Sequence, residues 1–192
     1  MSQELFAAAR SGDAAQIKNL LEAGVAHDAA DEAGEIALMH AAHGGHVAAV
    51  QVLIAAGADV NAKAPQGWTA LAKAAYNGET GCGYVEVIDV LHQAGASLDD
   101  RIFFGITPLM LAAGGGDAAV VEWLINSGAD VLAVNEGGRT ARMMANDKFY
   151  VDVINLLTDA ERQLGVSEEG ACPTTKSVVK PQVVNLMKPA TH

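Results

Sequence analysis

Two kinds of apolar segment alternate along the chain. Short ones, such as TPLMLAA (107–113), open shortly after a glycine. Longer ones, such as VAAVQVLIAAG (47–57) and AAVVEWLINSG (118–128), close on one. In the longer segments apolar residues recur at helical spacing, which predicts amphipathic helices. Their final glycines suit a left-handed C-cap. The short segments are predicted as helices as well: Thr107 can cap the N-terminus of one, and Pro108 suits its first helical position. Breaks containing glycine, GGH (44–46), NGE (77–79) and GGGD (114–117), separate short helix from long.

The alternation is a repeat. Segments beginning at Gly24, Gly57, Gly95 and Gly128 align, and each has a second glycine ten residues on, at Gly34, Gly67, Gly105 and Gly138. Successive units are 33, 38 and 33 residues apart. Leu38, Leu71 and Leu109 share one repeat position, and Leu20, Leu53, Leu91 and Leu124 share another. Leucine recurring at one position predicts a stacked core, and Trp123 falls among such positions. The unit at 68–105 is longer by five residues, and the surplus falls at ETGCG (79–83).

The matches GWTALAKAA (67–75), GITPLMLAA (105–113), GGH (44–46) and LIAAGADVNA (53–62) resemble the ankyrin repeat, whose signature is G-x-T-P-L-H-x-A-A-x-x-G-H followed by L-L-x-x-G-A-D-V-N. The resemblance covers about residues 2–160. It implies an all-α solenoid of stacked helix-turn-helix units with projecting β-turn or hairpin tips. The expected organisation is one domain over 1–165, with an N-terminal cap (2–34), repeats at 35–67, 68–105 and 106–138, and a C-terminal cap (139–164). The departures fit that plan. Ile36 replaces a capping threonine, and Arg142 stands where the helix usually carries leucine.

Composition narrows the function. Of the 192 residues 51% are hydrophobic and only 5% aromatic, so the core must be built from small side chains. A net charge of −11 argues against nucleic acid and anionic membranes as partners. No apolar run is long enough to span a bilayer. The start, MSQELFAAARSGD, does not read as a secretory signal, and Cys82 and Cys172 read as free thiols of a cytoplasmic protein. The alanine content hints at a bacterial source.

Candidate chemistry is thin. His40, His43 and His46 form HAAHGGH, yet Gly44 and Gly45 interrupt the helix and no acidic third ligand is evident. Cys82 has a helix after it but glycines on both sides, and a nucleophilic thiol needs a base or helix terminus to activate it. The GGG at 114–116 lacks the lysine and hydroxyl of a phosphate loop. No cofactor and no metal is expected, and a thiol- or metal-dependent enzyme is the least favoured reading.

A partner surface is better supported. The resemblance implies that tips and the exposed faces of the first helices line the concave side. There this chain carries Arg101, Ile102, Phe103, Phe104 and Ile106 in its third tip, and Trp68 beside the second, at the repeat position of Ile106. Tyr76 and Asn77 end the neighbouring helix, and Arg139 occupies the Trp68 position in the fourth tip. Gly114 to Gly116 would add a floor without side chains. Aromatics and arginine dominate binding energy at interfaces. The bland alternative is that Ile102 or one phenylalanine packs inward against a neighbouring tip. After Gly165 the pattern stops. Residues 166–192 read as a flexible tail in which SVVKPQVVNLM (177–187) is apolar enough to dock in extended form. The expectation is a non-catalytic adaptor or regulator, monomeric when free, that binds another protein. An inhibitor or immunity-type protein acting on one enzyme is the alternative.

Overall fold

A computed structural model describes residues 2–76 and 83–166. Asn77, Cys82, Cys172, most of the 79–83 insertion and the tail beyond Val166 lie outside them. The described residues form ten α-helices: α1 (Ser2–Ser11), α2 (Ala14–Glu22), α3 (Ala37–His43), α4 (Val47–Ala55), α5 (Ala70–Ala75), α6 (Val85–Gln93), α7 (Pro108–Gly115), α8 (Ala118–Asn126), α9 (Ala141–Asn146) and α10 (Val151–Gln163). Each odd-numbered helix packs on the even one that follows it. Odd helices also pack on odd neighbours and even on even, which makes a two-layered, all-α solenoid. Among the described residues no helix is long and apolar enough to cross a membrane.

Columns of side chains hold the layers together. Leu5, Leu38, Leu71 and Leu109 form one fully buried column in the odd layer, and Leu53, Leu91, Leu124 and Leu157 form its counterpart in the even layer. Leu20, at the end of the second column, is half-buried. Between odd helices runs a column of buried alanines, Ala8, Ala41, Ala74, Ala112 and Ala145. Small side chains let neighbouring helices approach closely, which is why a core with so few aromatics suffices. Trp123 is half-buried and sits edge-on to His92 with ring centroids 5.6 Å apart.

Caps set the helix starts. The hydroxyls of Thr69, Thr107 and Thr140 accept from the backbone N–H three residues on, and Asp13 and Asp117 do the same for α2 and α8. Each such cap contributes about 1 kcal/mol. Ile36 cannot, and α3 starts with no side-chain cap.

The last unit breaks two columns at once. Arg142 takes the leucine position on α9, and its Nε lies 2.7 Å from a carboxylate oxygen of Glu161, a buried residue of α10. Glu161 stands in register with Gly128, the left-handed residue that follows α8. With glutamate there, α10 continues to Gln163 and turns left-handed only at Gly165.

A second departure is Phe149, between α9 and α10. It has φ +59 where Gly12, Gly45 and Gly116 occupy the same repeat position at φ near +75, and it is 83% exposed. A bulky residue in the left-handed region is strained by about 1–2 kcal/mol. Phe149→Asn, which tolerates that conformation, is expected to raise stability by about 0.5–1 kcal/mol in urea unfolding with an unchanged m-value.

Candidate binding surface

The tips share one backbone plan. The N–H of Asp31, Ala64, Ile102 and Asn135 donates to the carbonyl four residues on, at Glu35, Trp68, Ile106 and Arg139. The first residue then decides how the tip is held. In the first and fourth tips Oδ1 of Asp31 or Asn135 accepts from two backbone N–H groups inside the loop. Asp31 is also 2.8 Å from His40 Nε2. Burial pushes its carboxyl up, but the Glu35 N–H, the His40 ring and the Ala33 N–H outweigh that and hold it below its ordinary value. Ala64 and Ile102 have no acceptor to offer. Their tips instead place two residues in the left-handed region, Gln66 with Gly67 and Phe104 with Gly105.

Tips two, three and four press together backbone to backbone. A Cβ added to Gly67 would lie 2.8 Å from the Arg101 carbonyl oxygen. The Glu136 N–H donates to the Phe104 carbonyl at 2.9 Å. Arg101 Nη1 donates to the Val134 carbonyl at 2.7 Å and the Gly105 carbonyl at 3.3 Å. Arg101 therefore braces the third tip against the fourth, with its guanidinium engaged by backbone.

On this ridge the aromatics gather. The Trp68 ring lies 6.3 Å from Tyr76 and 5.9 Å from Phe103, and Phe103 lies 5.6 Å from Phe104 edge-on. Such pairs are worth about 0.5–1.5 kcal/mol each beyond their buried area. Trp68, Phe103 and Ile106 are half-buried, while Tyr76 is exposed. Phe104, the outermost, is 67% exposed.

Ile102 corrects the expectation that it faces a partner. It is buried, packed with Ala72 and Leu111 beneath Trp68, Phe103 and Ile106. The reason is register. Ile102 opens its tip at the position of Ala64, which is buried too, so the side chain points under the ridge and anchors it. Arg139 is engaged by Asp147 and by the Met143 carbonyl at 3.4 Å, in the last unit. The expected glycine floor is not open either, since a Cβ at Gly116 would meet the Tyr150 ring at 2.8 Å.

Sequence reasoning missed Lys73. Its ammonium is 4.9 Å from the Trp68 ring centroid and 2.6 Å from a carboxylate oxygen of Glu35. Glu35 in turn lies 3.7 Å from His40, and His40 faces Asp31 and Arg10. A polar chain thus runs from Arg10 to the edge of the aromatic patch. The signal was available: His40, Lys73, Leu111 and Met144 share one repeat position, polar in the first half of the array and apolar in the second.

The three candidate ligand histidines diverge. His40 turns to Asp31, His46 to the Arg10 carbonyl at 2.9 Å, and His43 is exposed. Among the described residues no group of three or more His, Cys, Asp or Glu side chains is placed to hold a metal ion.

Comparison with known proteins agrees with this architecture. A family model described as ankyrin repeats in three copies matches residues 5–102 and 81–167. A 109-residue stretch is 31% identical to the ankyrin repeat protein nuc-2 of Neurospora crassa, covering 53% of this chain and 10% of that protein. A 77-residue stretch is 40% identical to the human ankyrin repeat and KH domain-containing protein 1, covering 39% of this chain and 3% of that one. The chain thus spans a small fraction of the length of both relatives. With its columns, its tips and these matches, it belongs to the ankyrin-repeat family, whose repeats generally serve as protein-interaction modules.

Proposed function

We propose that this protein is a non-catalytic adaptor or regulator, monomeric when free and cytoplasmic, which captures a partner protein on the aromatic ridge formed by Trp68, Tyr76, Phe103 and Phe104. Phe104 carries the reading. It is 67% exposed and sits at φ +58. Both features cost free energy, the backbone alone about 1–2 kcal/mol. Phe149 bears the same exposure and strain away from the ridge, whereas Phe104 bears them at the edge of a packed aromatic cluster, and that conjunction supports a partner site. Here the bond from Glu136 and the Arg101 brace hold the loop in place. Ile106 and the half-buried Trp68 and Phe103 support the ridge, and Arg101 and Ile102 belong to it as brace and anchor.

Phe104→Asn separates binding from folding. Asparagine accepts the left-handed backbone, so stability is expected to stay level or rise by up to about 1 kcal/mol. Partner capture is expected to fall about thirtyfold, as for a central interface residue worth about 2 kcal/mol. Affinity capture with mass spectrometry, run beside thermal unfolding, checks both. Undiminished capture of the same partner by Phe104→Asn would remove the assignment.

A further inference from the structure

Within the ridge reading above, we infer that the patch has an occupant in the chain itself: residues 177–187, SVVKPQVVNLM, lie across Trp68, Tyr76 and Phe103 in extended form and compete with the partner. Three observations lead there.

The first is charge. The tip segments 28–35, 59–68, 97–106 and 130–139 carry nine carboxylates against three cations. Those three are already engaged: Lys63 by Asp100, Arg101 by backbone carbonyls and Arg139 by Asp147. Lys73, over the Trp68 ring, is likewise held by Glu35, so the face keeps an excess of carboxylates and favours a basic occupant. Residues 170–192 contain Lys176, Lys180 and Lys188 and no acid.

The second is shape. A cluster of tilted aromatic rings suits an extended segment that combines proline with apolar side chains, because such a segment loses little conformational entropy on docking. Pro181 stands between Val178–Val179 and Val183–Val184.

The third is reach. After α2, α4, α6 and α8 the chain runs into the next tip, so at the end of α10 it leaves on the side where the tips are. The patch lies about two helix spacings back, roughly 16–20 Å. Ten residues separate Val166 from Ser177. Ten residues can span at most about 33–36 Å, so the patch is within their reach. An effective concentration is greatest when span and linker match, on the order of a millimolar.

The test uses the full chain with Trp123→Phe, which leaves Trp68 as the only tryptophan. With the native tail, acrylamide quenching of Trp68 is expected to be about threefold weaker than in the Val179→Asp, Val184→Asp, Leu186→Asp variant, since a tether of this length keeps even a weak ligand mostly bound. A synthetic peptide of residues 174–189 should restore protection in that variant, and protection in the native chain should not depend on protein concentration. Equal quenching in both chains overturns the inference. So does protection that grows with concentration, which would place the tail of a second copy on the patch. Capture distinguishes this failure from failure of the ridge as a partner site. A Phe104→Asn chain that loses its partner while the tail proves unprotective sinks the tail alone. A protective tail with capture undiminished in Phe104→Asn sinks the partner reading and leaves the tail.

Discussion

Gly67→Ala is expected to destabilise the protein by about 3 kcal/mol and to weaken partner capture, although it changes no side chain of the ridge. Gly67 has φ +81, a conformation that costs alanine about 1 kcal/mol or more. The added Cβ would also lie 2.8 Å from the Arg101 carbonyl oxygen and 3.3 Å from Ile102 Cα. Both obstacles are backbone, so the third tip must move as a body, and overpacking of this kind costs about 1–3 kcal/mol. That movement carries Phe103 away from Trp68. Chemical unfolding measures the first effect and capture at a temperature well below unfolding measures the second. Because the tips stack, the ridge has one geometry, and a change beneath it is felt at its crest.

Arg142→Leu restores the leucine of the column yet is expected to destabilise by about 2–3 kcal/mol. The leucine would leave the Glu161 carboxylate buried without its cation, and breaking a buried pair typically costs about 3–5 kcal/mol. The value here is lower because Arg142 is 31% exposed, so water screens part of the interaction. Adding Glu161→Leu removes the stranded charge, and the double variant is expected to recover most of the loss. A double-mutant cycle in urea measures the coupling. Additive single effects would mean that the two residues do not act as a pair.

The scaffold was legible because it repeats. Leu38, Leu71 and Leu109 announce one column by recurring, and Thr107 with Pro108 announces a helix start by local chemistry alone. The aromatic ridge was legible for the opposite reason, since Phe103 and Phe104 have no counterpart in the other tips. What escaped depends on three-dimensional neighbours. Ile102 is buried because it opens its tip at the position of the buried Ala64, over Ala72 and Leu111 of the helices beneath. Arg101 is a brace because its acceptors are carbonyl oxygens, which no side-chain pattern reveals. Lys73 and Phe149 lay within reach of a column-by-column reading: one stands beside Trp68 in a column that is polar in the first half of the array and apolar in the second, the other puts phenylalanine where glycine recurs.

A photo-crosslinking side chain at position 104 tests the ridge most directly. Placed there, it is expected to join the protein to its partner in one discrete product. The same group at Gln51, exposed on α4 in the even layer, is expected to give none. Crosslinks from position 51 with none from position 104 would put the partner on the other face of the solenoid and leave the ridge without a role.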